Sequence, residues 1–347
     1  MWVLGIESSC DETAAALVRD DGYVLSDVVA SQIDMHGPYG GVVPELASRA
    51  HLKAIVPVID QAVSALPNGF DDVNAIAVTN GPGLVGALLV GVQAAKAIAW
   101  SRDLPLVGVN HLVGHLLAVY LQREADAGPV ELDFPYIALL ASGGHTALYR
   151  VDGPLDIQQL GQTRDDAAGE AYDKVAKLLG LGYPGGPIVD RLAAEGNGEA
   201  VDLPIPMKSR RSLEFSFSGL KTAVAQHVAS LGEERSDAQV KDVCASFQRA
   251  AVESLVRKSV AACQREGVPR LVLGGGVAAN RGLRARAQQV CTSKGLSLTV
   301  PPFASCTDNA AMIAYAGAQR LKAGERDTLE LGVYSRSPLL ESRASTR

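Results

Sequence analysis

The order of secondary-structure elements predicted along the 347-residue chain occurs twice, and this repetition restricts the fold more than any single motif does. In the first half, apolar periodicity predicts three short strands and a helix, followed by strand, helix, strand and helix. The predicted strands lie at about 2–6, 13–19, 22–30, 73–79 and 105–109, and the predicted helices at about 44–65, 84–101 and from His111 onward.

The second half repeats this order from Phe134 onward. Its strands are predicted at about 135–141, 145–151, 156–161, 270–273 and 296–300, a helical insertion at about 167–266, and the last two helices from about 280 and from Thr307. We therefore predict a duplicated α/β fold with an N-terminal lobe, 1–130, completed by 325–347, and a C-terminal lobe, 131–324. Because ligands of open α/β sheets bind at the carboxyl ends of strands, we expect the site in a cleft between the halves.

The composition is that of a globular chain that does not coat nucleic acid by bulk charge. Apolar residues make up 47% of the chain and charged residues 20%, and the formal net charge is -6. Neutralising phosphate requires clustered Lys and Arg. Two local basic groups are candidates for nucleic-acid contact or are ordinary solvated faces. They are Lys208, Arg210 and Arg211, and Arg281, Arg284 and Arg286.

The cysteines and the hydropathy pattern predict a cytosolic protein. The five cysteines are odd in number and form no C-x-x-C pair, which argues against a disulfide framework or a zinc knuckle. The apolar stretch 84–100 is interrupted by glycine, glutamine and lysine, so we expect no transmembrane helix, and no targeting segment is recognisable.

Three glycine-rich turns occur at predicted strand ends. They are Gly81-Pro82-Gly83 with Gly86, Ser142-Gly143-Gly144-His145-Thr146, and Gly274-Gly275-Gly276. Glycine lets the backbone approach a ligand and leaves N–H groups free to bind phosphate. Each turn alone is also explained as a structural turn, but their matching positions in the two halves favour a ligand-binding role.

The spacing of His111 and His115 suits one metal ion. Residues four apart lie on the same face of a helix, so both imidazoles can reach one ion. A metalloprotease of the H-E-x-x-H type needs a glutamate directly after the first histidine, and Leu112 occupies that position. The pair therefore indicates an anchoring or Lewis-acid metal site, or two helix-face histidines that bind no ion.

The duplication indicates where a third ligand would lie. The helix at His111 ends the first half, and its counterpart in the second half is predicted to begin at Thr307. Asp308 would then face the cleft and join the two histidines from the opposite lobe. Two histidines and one carboxylate are typical of iron, and zinc also accepts these ligands. The alternative is that Asp308 only satisfies the start of its own helix.

Two further segments offer polar groups to a nucleotide. The stretch 164–174 opens a helix and contains Asp173, whose carboxylate could accept ribose or substrate hydroxyls. The turn 183–187 precedes Asp190 and could form a wall of the ligand site. A solvated amphipathic helix and a helix-breaking turn explain the same patterns.

Motifs spread over nearly the whole chain resemble those of the bacterial tRNA threonylcarbamoyltransferases. The matching segments are 5–13 (GIESSCDET), 40–45 (GGVVPE), 81–86 (GPGLVG), 110–115 (NHLVGH), 142–146 (SGGHT), 165–174 (DDAAGEAYDK), 216–221 (SFSGLK), 274–280 (GGGVAAN) and 307–309 (TDN). Ser8 and Asn80 depart from the family's usual residues, but neither is an expected ligand.

The resemblance implies an actin-like, sugar-kinase-like ATPase fold, in agreement with the duplication. It implies transfer of a threonylcarbamoyl group from threonylcarbamoyl-AMP to the exocyclic amine of the adenosine 3′ of the anticodon, in tRNAs that read codons starting with adenine. By position, His111, His115 and Asp308 are the implied ligands of one Fe²⁺, with Zn²⁺ possible in vitro. The implied adenylate site, which takes an ATP- or AMP-type nucleotide, consists of Leu140, Ala141, Ser142, Gly143, Gly144, Asp173, Gly186, Asp190 and Asn280.

No catalytic side chain is assigned from the sequence. Neither a Ser-His-Asp nor a Cys-His pairing occurs at local spacing, so we expect direct transfer without a covalent enzyme intermediate. Cys10 lies in the opening motif, where a buried structural thiol is the expected role.

The resemblance also implies partners besides tRNA: a smaller paralogous actin-fold subunit, a separate ATPase subunit, and a synthase that supplies the adenylate. Two other function classes stay open, since a fold does not determine function. One is an ATP-dependent phosphotransferase of the same fold that acts on a small hydroxyl substrate. The other is a non-catalytic scaffold.

Overall fold

The computed structural model describes residues 1–123, 130–209, 211–232 and 234–336. Arg210 and the segment 337–347, both named above, lie outside the described residues. The chain forms two compact units. The first comprises Met1–Leu132, Gly153–Asp156 and the residues from Pro301 onward, and the second comprises Asp133–Asp152 and Ile157–Val300.

The first unit contains a five-stranded mixed sheet. Its strands are β1 (Trp2–Glu7), β2 (Glu12–Arg19), β3 (Val24–Ser31), β4 (Ala75–Gly81) and β5 (Leu106–Asn110). The strand order is β3-β2-β1-β4-β5, in which β1 pairs antiparallel with β2 and parallel with β4. Helices α1 (Ile33–His36) and α2 (Pro44–Val63) follow β3, α3 (Val85–Arg102) follows β4, and α4 (His111–Leu117) follows β5. All five strands predicted for the first half are confirmed within about two residues.

The second unit repeats the sheet. Its strands are β6 (Tyr136–Ala141), β7 (Thr146–Gly153), β8 (Asp156–Gln162), β9 (Arg270–Gly274) and β10 (Ser297–Thr299). Their order, β8-β7-β6-β9-β10, has the same connectivity as the first sheet, and β6 again pairs antiparallel with the strand that follows it and parallel with the fourth strand. The predicted duplication is therefore confirmed at the level of strand order.

The helical insertion predicted at 167–266 is confirmed as four helices. They are α5 (Ala168–Leu178), α6 (Gly185–Ala193), α7 (Ser218–Ser230) and α8 (Asp237–Glu266), and α9 (Arg281–Lys294) follows β9. A capping box of Ser236 and Gln239 fixes the start of α8. Within the described part of the chain, no helix is long and apolar enough to cross a membrane.

The last helix, α10 (Ala310–Lys322), belongs to the first unit. It packs on β1 and β2, and its buried side chains share one apolar core with the side chains of that sheet. Small residues permit this close approach: a Cβ on Gly317 would lie 2.4 Å from the Cβ of Ala77. The lobe boundaries predicted from the sequence place residues up to 324, and so α10, in the second lobe. The structure differs at this helix because the local pattern does not reveal which sheet a helix covers.

Candidate metal and nucleotide sites

The start of α4 is fixed by Asn110, the last residue of β5. Its Oδ1 accepts hydrogen bonds from the backbone N–H groups of Leu112, at 2.9 Å, and Val113, at 3.4 Å. Because this cap makes His111 the first helical residue, His111 and His115 lie one turn apart on the same face. Their ring centroids are 4.8 Å apart, and the side chains are 9% and 1% exposed.

Asp308 lies in the loop that precedes α10. The cap of this helix is Asn309, whose Oδ1 accepts a hydrogen bond from Met312 N at 2.9 Å, so α10 begins at Ala310 and not at the predicted Thr307. The alternative that Asp308 is the capping residue is therefore wrong. Its Oδ1 lies 3.0 Å from Nε2 of His115 and 3.6 Å from Nε2 of His111.

These three side chains form a candidate metal site within the first unit. One ligand atom from each lies within 4.8 Å of the other two, and the donor set suits a first-row divalent ion. The expectation that Asp308 comes from the opposite lobe is corrected, because α10 and the loop before it belong to the same unit as α4. The structure is thus compatible with a bound metal.

Glu7, which the sequence analysis missed, contacts the Nδ1 nitrogen of His111. Oε2 of Glu7 lies 3.0 Å from Nδ1 of His111. Burial lowers the pKa of His111, but the negative charges of Glu7 and Asp308, together with this hydrogen bond, outweigh burial and raise it to about 9. A signal was present in the sequence: Glu7 is the only charged residue in the strand WVLGIE, and a buried carboxylate requires a partner.

Several carboxyl groups lie near the candidate metal site. Burial raises the pKa of Glu12 to about 9, and the negative charges of Asp308 and Asp11 contribute in the same direction. Burial and the same two aspartates also raise the pKa of the Cys10 thiol. A cation bound near these groups would offset the repulsion between the carboxylates and favour their charged forms.

Ser9 lies beside the histidines but does not form a catalytic triad with them. Its Oγ is 3.2 Å from Nδ1 of His111, the same ring nitrogen that contacts Glu7. In a triad the imidazole contacts the nucleophile with one nitrogen and the acid with the other. His111 therefore cannot relay a proton from Ser9 to Glu7.

In the second unit, the turn after β6 exposes two glycines. Ser142 closes the turn, since its N–H donates to His145 O at 2.8 Å and its Oγ accepts from His145 N at 3.2 Å. Gly143 and Gly144 are exposed, and a Cβ on either would meet no atom within 4 Å. Open backbone of this kind leaves room for a ligand to approach.

The neighbouring elements pack tightly against this turn. A Cβ on Gly169, in the first turn of α5, would lie 2.7 Å from Ser142 O. Gly275 has a φ of +81°, and a Cβ there would lie 2.5 Å from Ala141 O. The structure therefore brings the end of β6, with Leu140 and Ala141, together with the start of α5 and the glycine turn after β9.

The glycines of the turn 81–83 have a different role. A Cβ on Gly83 would lie 2.5 Å from Ser9 O, and one on Gly81 would lie 2.3 Å from Tyr334 O. These glycines permit close packing inside the first unit, so the structural explanation of this turn is favoured over phosphate binding.

A buried polar network joins two of the predicted adenylate residues. Gln248 of α8 accepts a hydrogen bond from Asn280 Nδ2 at 2.7 Å and donates from Nε2 to Asp190 Oδ1 at 3.1 Å. Asn280 Oδ1 caps α9 by accepting from Leu283 N. The Tyr172 hydroxyl lies 3.4 Å from both Gln248 Oε1 and Asn280 Nδ2. Sequence reasoning missed Gln248, because nothing in the pattern of a long helix distinguishes it.

Asp173 holds the start of α6. Its Oδ1 accepts a hydrogen bond from Gly185 N at 2.7 Å, which places Gly186 in the first turn of that helix. The described contacts thus connect Asp173 with the 183–187 turn, and they give the carboxylate a structural role.

The arginines of α9 are partly engaged within the protein. Arg281 pairs with Asp190 at 2.8 Å, Arg286 pairs with Glu253 at 2.9 Å, and Arg284 Nε donates to Ala278 O at 2.6 Å. These contacts support helix packing, so the sequence cluster is not simply a free basic patch.

Comparison with known proteins adds information about the family. A sequence model of the family described as tRNA N6-adenosine threonylcarbamoyltransferase matches residues 23–315. The tRNA N6-adenosine threonylcarbamoyltransferase of Sorangium cellulosum (strain So ce56) is 61% identical over 346 residues, which cover 98% of this chain and 97% of that protein. The protein of the same name from Geobacter metallireducens is 52% identical over 339 residues, which cover 98% of this chain and 97% of its own length.

Solved structures share the fold at low sequence identity. The activator of the 2-hydroxyisocaproyl-CoA dehydratase from Clostridium difficile is 15% identical, with a TM-score of 0.52 and coverage of 94% of this chain and 99% of its own. HypF of T. kodakarensis is also 15% identical, with a TM-score of 0.63 and coverage of 93% of this chain and 48% of its own. The predicted actin-like, sugar-kinase-like fold is confirmed by these neighbours.

Proposed function

Because the chain belongs to the tRNA N6-adenosine threonylcarbamoyltransferase family, we propose that His111, His115 and Asp308 bind a divalent metal ion that serves this transfer. The protein is a transferase that acts on tRNA in threonylcarbamoyladenosine biosynthesis. The observation that carries the metal proposal is the approach of two imidazole nitrogens and one carboxylate oxygen to within 4.8 Å of one another. This donor set is typical of Fe²⁺, which is the ion we propose, with Zn²⁺ as a substitute in vitro.

The proposed donor is threonylcarbamoyl-AMP, and the proposed acceptor is the exocyclic amine of the adenosine 3′ of the anticodon in tRNAs reading codons that start with adenine. Attack forms a C–N bond at the carbamoyl carbon, the C–O bond to AMP breaks, and the amine loses one proton. An aromatic amine is a weak nucleophile, so the negative charge that develops on the donor's oxygens must be stabilised. When bound, a divalent ion supplies Lewis-acid stabilisation of such charge.

We assign the adenylate to the second unit. The exposed backbone of Gly143 and Gly144 supports contact with phosphate, and the network around Gln248 offers donors and acceptors to a base or ribose. The residues assigned to this site are Leu140, Ala141, Ser142, Gly143, Gly144, Asp173, Gly186, Asp190 and Asn280. ATP and AMP would bind through the same groups.

Direct transfer to the amine fits the described side chains near the metal site. The nucleophilic form of a cysteine is the thiolate and not the thiol. Burial, together with the charges of Asp11 and Asp308, raises the pKa of Cys10 and keeps its thiol protonated. Ser9 has no imidazole positioned as its base, because His111 uses the same nitrogen toward Glu7. No covalent enzyme intermediate is therefore included in the proposal.

We further propose that the protein works with a smaller paralogous actin-fold subunit and a separate ATPase subunit, and that another enzyme synthesises the adenylate. Neighbouring helices α2 and α3 of the first unit support a docking role, since they pack together and expose apolar side chains. These are Leu52, Val56, Val85 and Leu89. With a net charge of -6, the chain would also gain from a partner's basic surface when it binds RNA. Substituting Leu52 and Val56 by Asp should abolish co-elution with the paralogous subunit.

The proposed compartment is the cytosol. The five cysteines are all free thiols, as expected under reducing conditions. The substrate, tRNA, is used for translation in the same compartment.

The decisive experiment is reconstitution of the reaction. The purified chain and its partners are mixed with synthetic threonylcarbamoyl-AMP and unmodified tRNA, and the tRNA is digested for nucleoside mass spectrometry. Threonylcarbamoyladenosine should form, and it should decrease by at least about a hundredfold in the His111→Ala, His115→Ala and Asp308→Ala variants. Full activity of all three folded variants would refute the metal proposal.

The same preparations separate the two rival functions. A phosphotransferase would convert ATP to ADP with transfer of phosphate to a small hydroxyl compound, which radiolabelled ATP detects. A scaffold would support modification equally well after the double substitution of His111 and His115 by Ala.

A further inference from the structure

We propose that Glu7 is a positioning residue that orients His111 for metal binding. In this arrangement its carboxylate accepts the Nδ1–H of His111 and leaves Nε2, with its lone pair, on the side of Asp308. The inference rests on the metal site proposed above, and it assigns a role to a residue that is not itself one of the three ligands.

The Glu7 carboxylate is buried and fully hydrogen-bonded. It is 1% exposed. Its Oε1 accepts from the backbone N–H of Ser9 at 2.5 Å, and its Oε2 accepts from the Thr79 hydroxyl at 2.6 Å. A carboxylate removed from water is costly unless such donors replace its hydration. Three groups donate hydrogen bonds to this carboxylate: the Ser9 N–H, the Thr79 hydroxyl and, in the proposed arrangement, the Nδ1–H of His111.

The carboxylate is held by two adjacent strands of the first unit's sheet, of which β1 is the central one. Glu7 ends β1, and Thr79 lies on β4, the parallel neighbour of β1 in the centre of the sheet. Both side chains therefore have positions fixed by the strand ladder. His111 follows β5, which lies on the other side of β4. The hydrogen bond to Glu7 therefore fixes the orientation of the His111 ring relative to the sheet.

The direction of the hydrogen bond determines which nitrogen can bind an ion. A neutral imidazole carries one proton, and the nitrogen without the proton is the ligand. A carboxylate at 3.0 Å from Nδ1 retains the proton there. The other nitrogen, Nε2, is the one that lies 3.6 Å from Asp308 Oδ1. A carboxylate that accepts the N–H of a ligating histidine also increases the basicity of the other ring nitrogen, which binds the metal.

The second histidine lacks this support. Nδ1 of His115 is buried and has no hydrogen-bond partner among the described residues. Its Nε2 lies 3.0 Å from Asp308 Oδ1. The two histidines are thus unequal, and the loss of one carboxylate should affect His111 selectively.

A direct role of Glu7 on the substrate is unsupported by its position. With 1% of its side chain exposed, it cannot touch a nucleotide or a tRNA base. Its effect must therefore pass through His111, which makes it a positioning residue and not a catalytic one.

The test is a titration with Co²⁺, whose absorption bands report coordination by imidazole. The wild-type chain is compared with Glu7→Gln, which keeps the shape of the side chain and removes its charge. Loss of such a supporting carboxylate costs about 10–100-fold in metal affinity, so the dissociation constant for Co²⁺ should rise by that factor. Thr79→Val is the matched control, because it removes one donor to Glu7 and leaves the Glu7–His111 hydrogen bond in place. The control should bind Co²⁺ with nearly wild-type affinity.

A second measurement uses the wild-type protein, so it tests the inference even if Glu7→Gln fails to fold. In the Zn²⁺-loaded wild-type protein, ¹⁵N-detected imidazole spectra should show His111 protonated at Nδ1 and bound through Nε2. Binding of His111 through Nδ1 would overturn the inference, as would an unchanged Co²⁺ affinity of folded Glu7→Gln. If His111→Ala does not weaken Co²⁺ binding at all, the metal site itself is wrong, which separates failure of the proposed function from failure of this inference.

Discussion

Oδ1 of Asp308 lies 3.0 Å from Nε2 of His115, although 193 positions separate the two residues in the chain. The contact exists because α10 packs on the sheet that precedes α4 in sequence. The candidate metal site is therefore a property of the complete first unit, and several measurable consequences follow from the way that unit is built.

Metal affinity should depend on pH through His111. Its pKa is raised from the ordinary 6.5 to about 9, so a proton occupies the ligand nitrogen at neutral pH and competes with the ion. The apparent affinity for Co²⁺ should rise about tenfold per pH unit between pH 7 and 9 and then level off. The stability of the metal-free protein should change with pH in the opposite direction to the metal affinity. Protonated His111 contributes stability that is fully present below pH 6.5 and is lost as the pH rises through 9. Absorption titrations and thermal melts over this range check both slopes, and a flat affinity profile would contradict the assignment.

Gly5→Ala should destabilise the first unit and weaken metal binding together. A Cβ at this position would lie 2.3 Å from Ala310 O and 2.8 Å from the Cβ of Ala314, so α10 would have to move away from β1. Overpacking of this kind costs about 1–3 kcal/mol of unfolding free energy, which urea denaturation measures. Because Asp308 lies two residues before the start of α10, the Co²⁺ affinity should fall as well. Gly37→Ala is the control, since a Cβ there meets nothing within 4 Å and φ is -49°. Equal effects of the two substitutions would count against this account.

Gln248→Met should loosen the polar network of the second unit. The substitution keeps the length of the side chain but leaves Asn280 Nδ2 and Asp190 Oδ1 each without one hydrogen bond. If the network orders the adenylate site, AMP binding measured by calorimetry should weaken by about tenfold, or about 1.4 kcal/mol. Gln288→Met, at an exposed position of α9, is the matched control. An unchanged AMP affinity in the folded variant would remove Gln248 from the nucleotide site.

Cys10 should behave as an unreactive thiol. Burial and the charges of Asp11 and Asp308 raise its pKa, which leaves little thiolate at pH 8. Alkylation by iodoacetamide, followed by peptide mass spectrometry, should therefore be much slower at Cys10 in the native protein than in urea. Cys10→Ser should retain tRNA modification within about a factor of two. Rapid native labelling, or loss of activity in a folded Cys10→Ser variant, would reopen a nucleophilic role.

Much of the fold could be predicted from the sequence, because strand periodicity and glycine turns are local properties. The repeated order of elements along the chain followed from them, and so did the positions of β1 to β10 within a few residues. The packing of α10 could not be predicted in the same way. Its small, apolar face would suit either sheet, and only tertiary contact decides that it covers β1 and β2.

The candidate metal site shows the same division. The spacing of His111 and His115 predicts a shared site because a helix places residues four apart on one face. Asp308 was found through the duplication, although its helix begins three residues after the predicted start at Thr307. Glu7 was missed because its contact with His111 joins residues 104 positions apart, across three strands of a sheet.

The late position of α10 affects how the protein is synthesised. The strands β1 and β2 leave the ribosome first, yet the helix that buries one of their faces is translated only after about 300 further residues. Until then, that apolar face has no covering layer from its own chain and is a surface on which nascent chains can aggregate or chaperones can bind. Asp308, the third residue of the candidate metal site, lies just before α10 in the same late segment. The candidate site therefore cannot be complete until this segment has been synthesised.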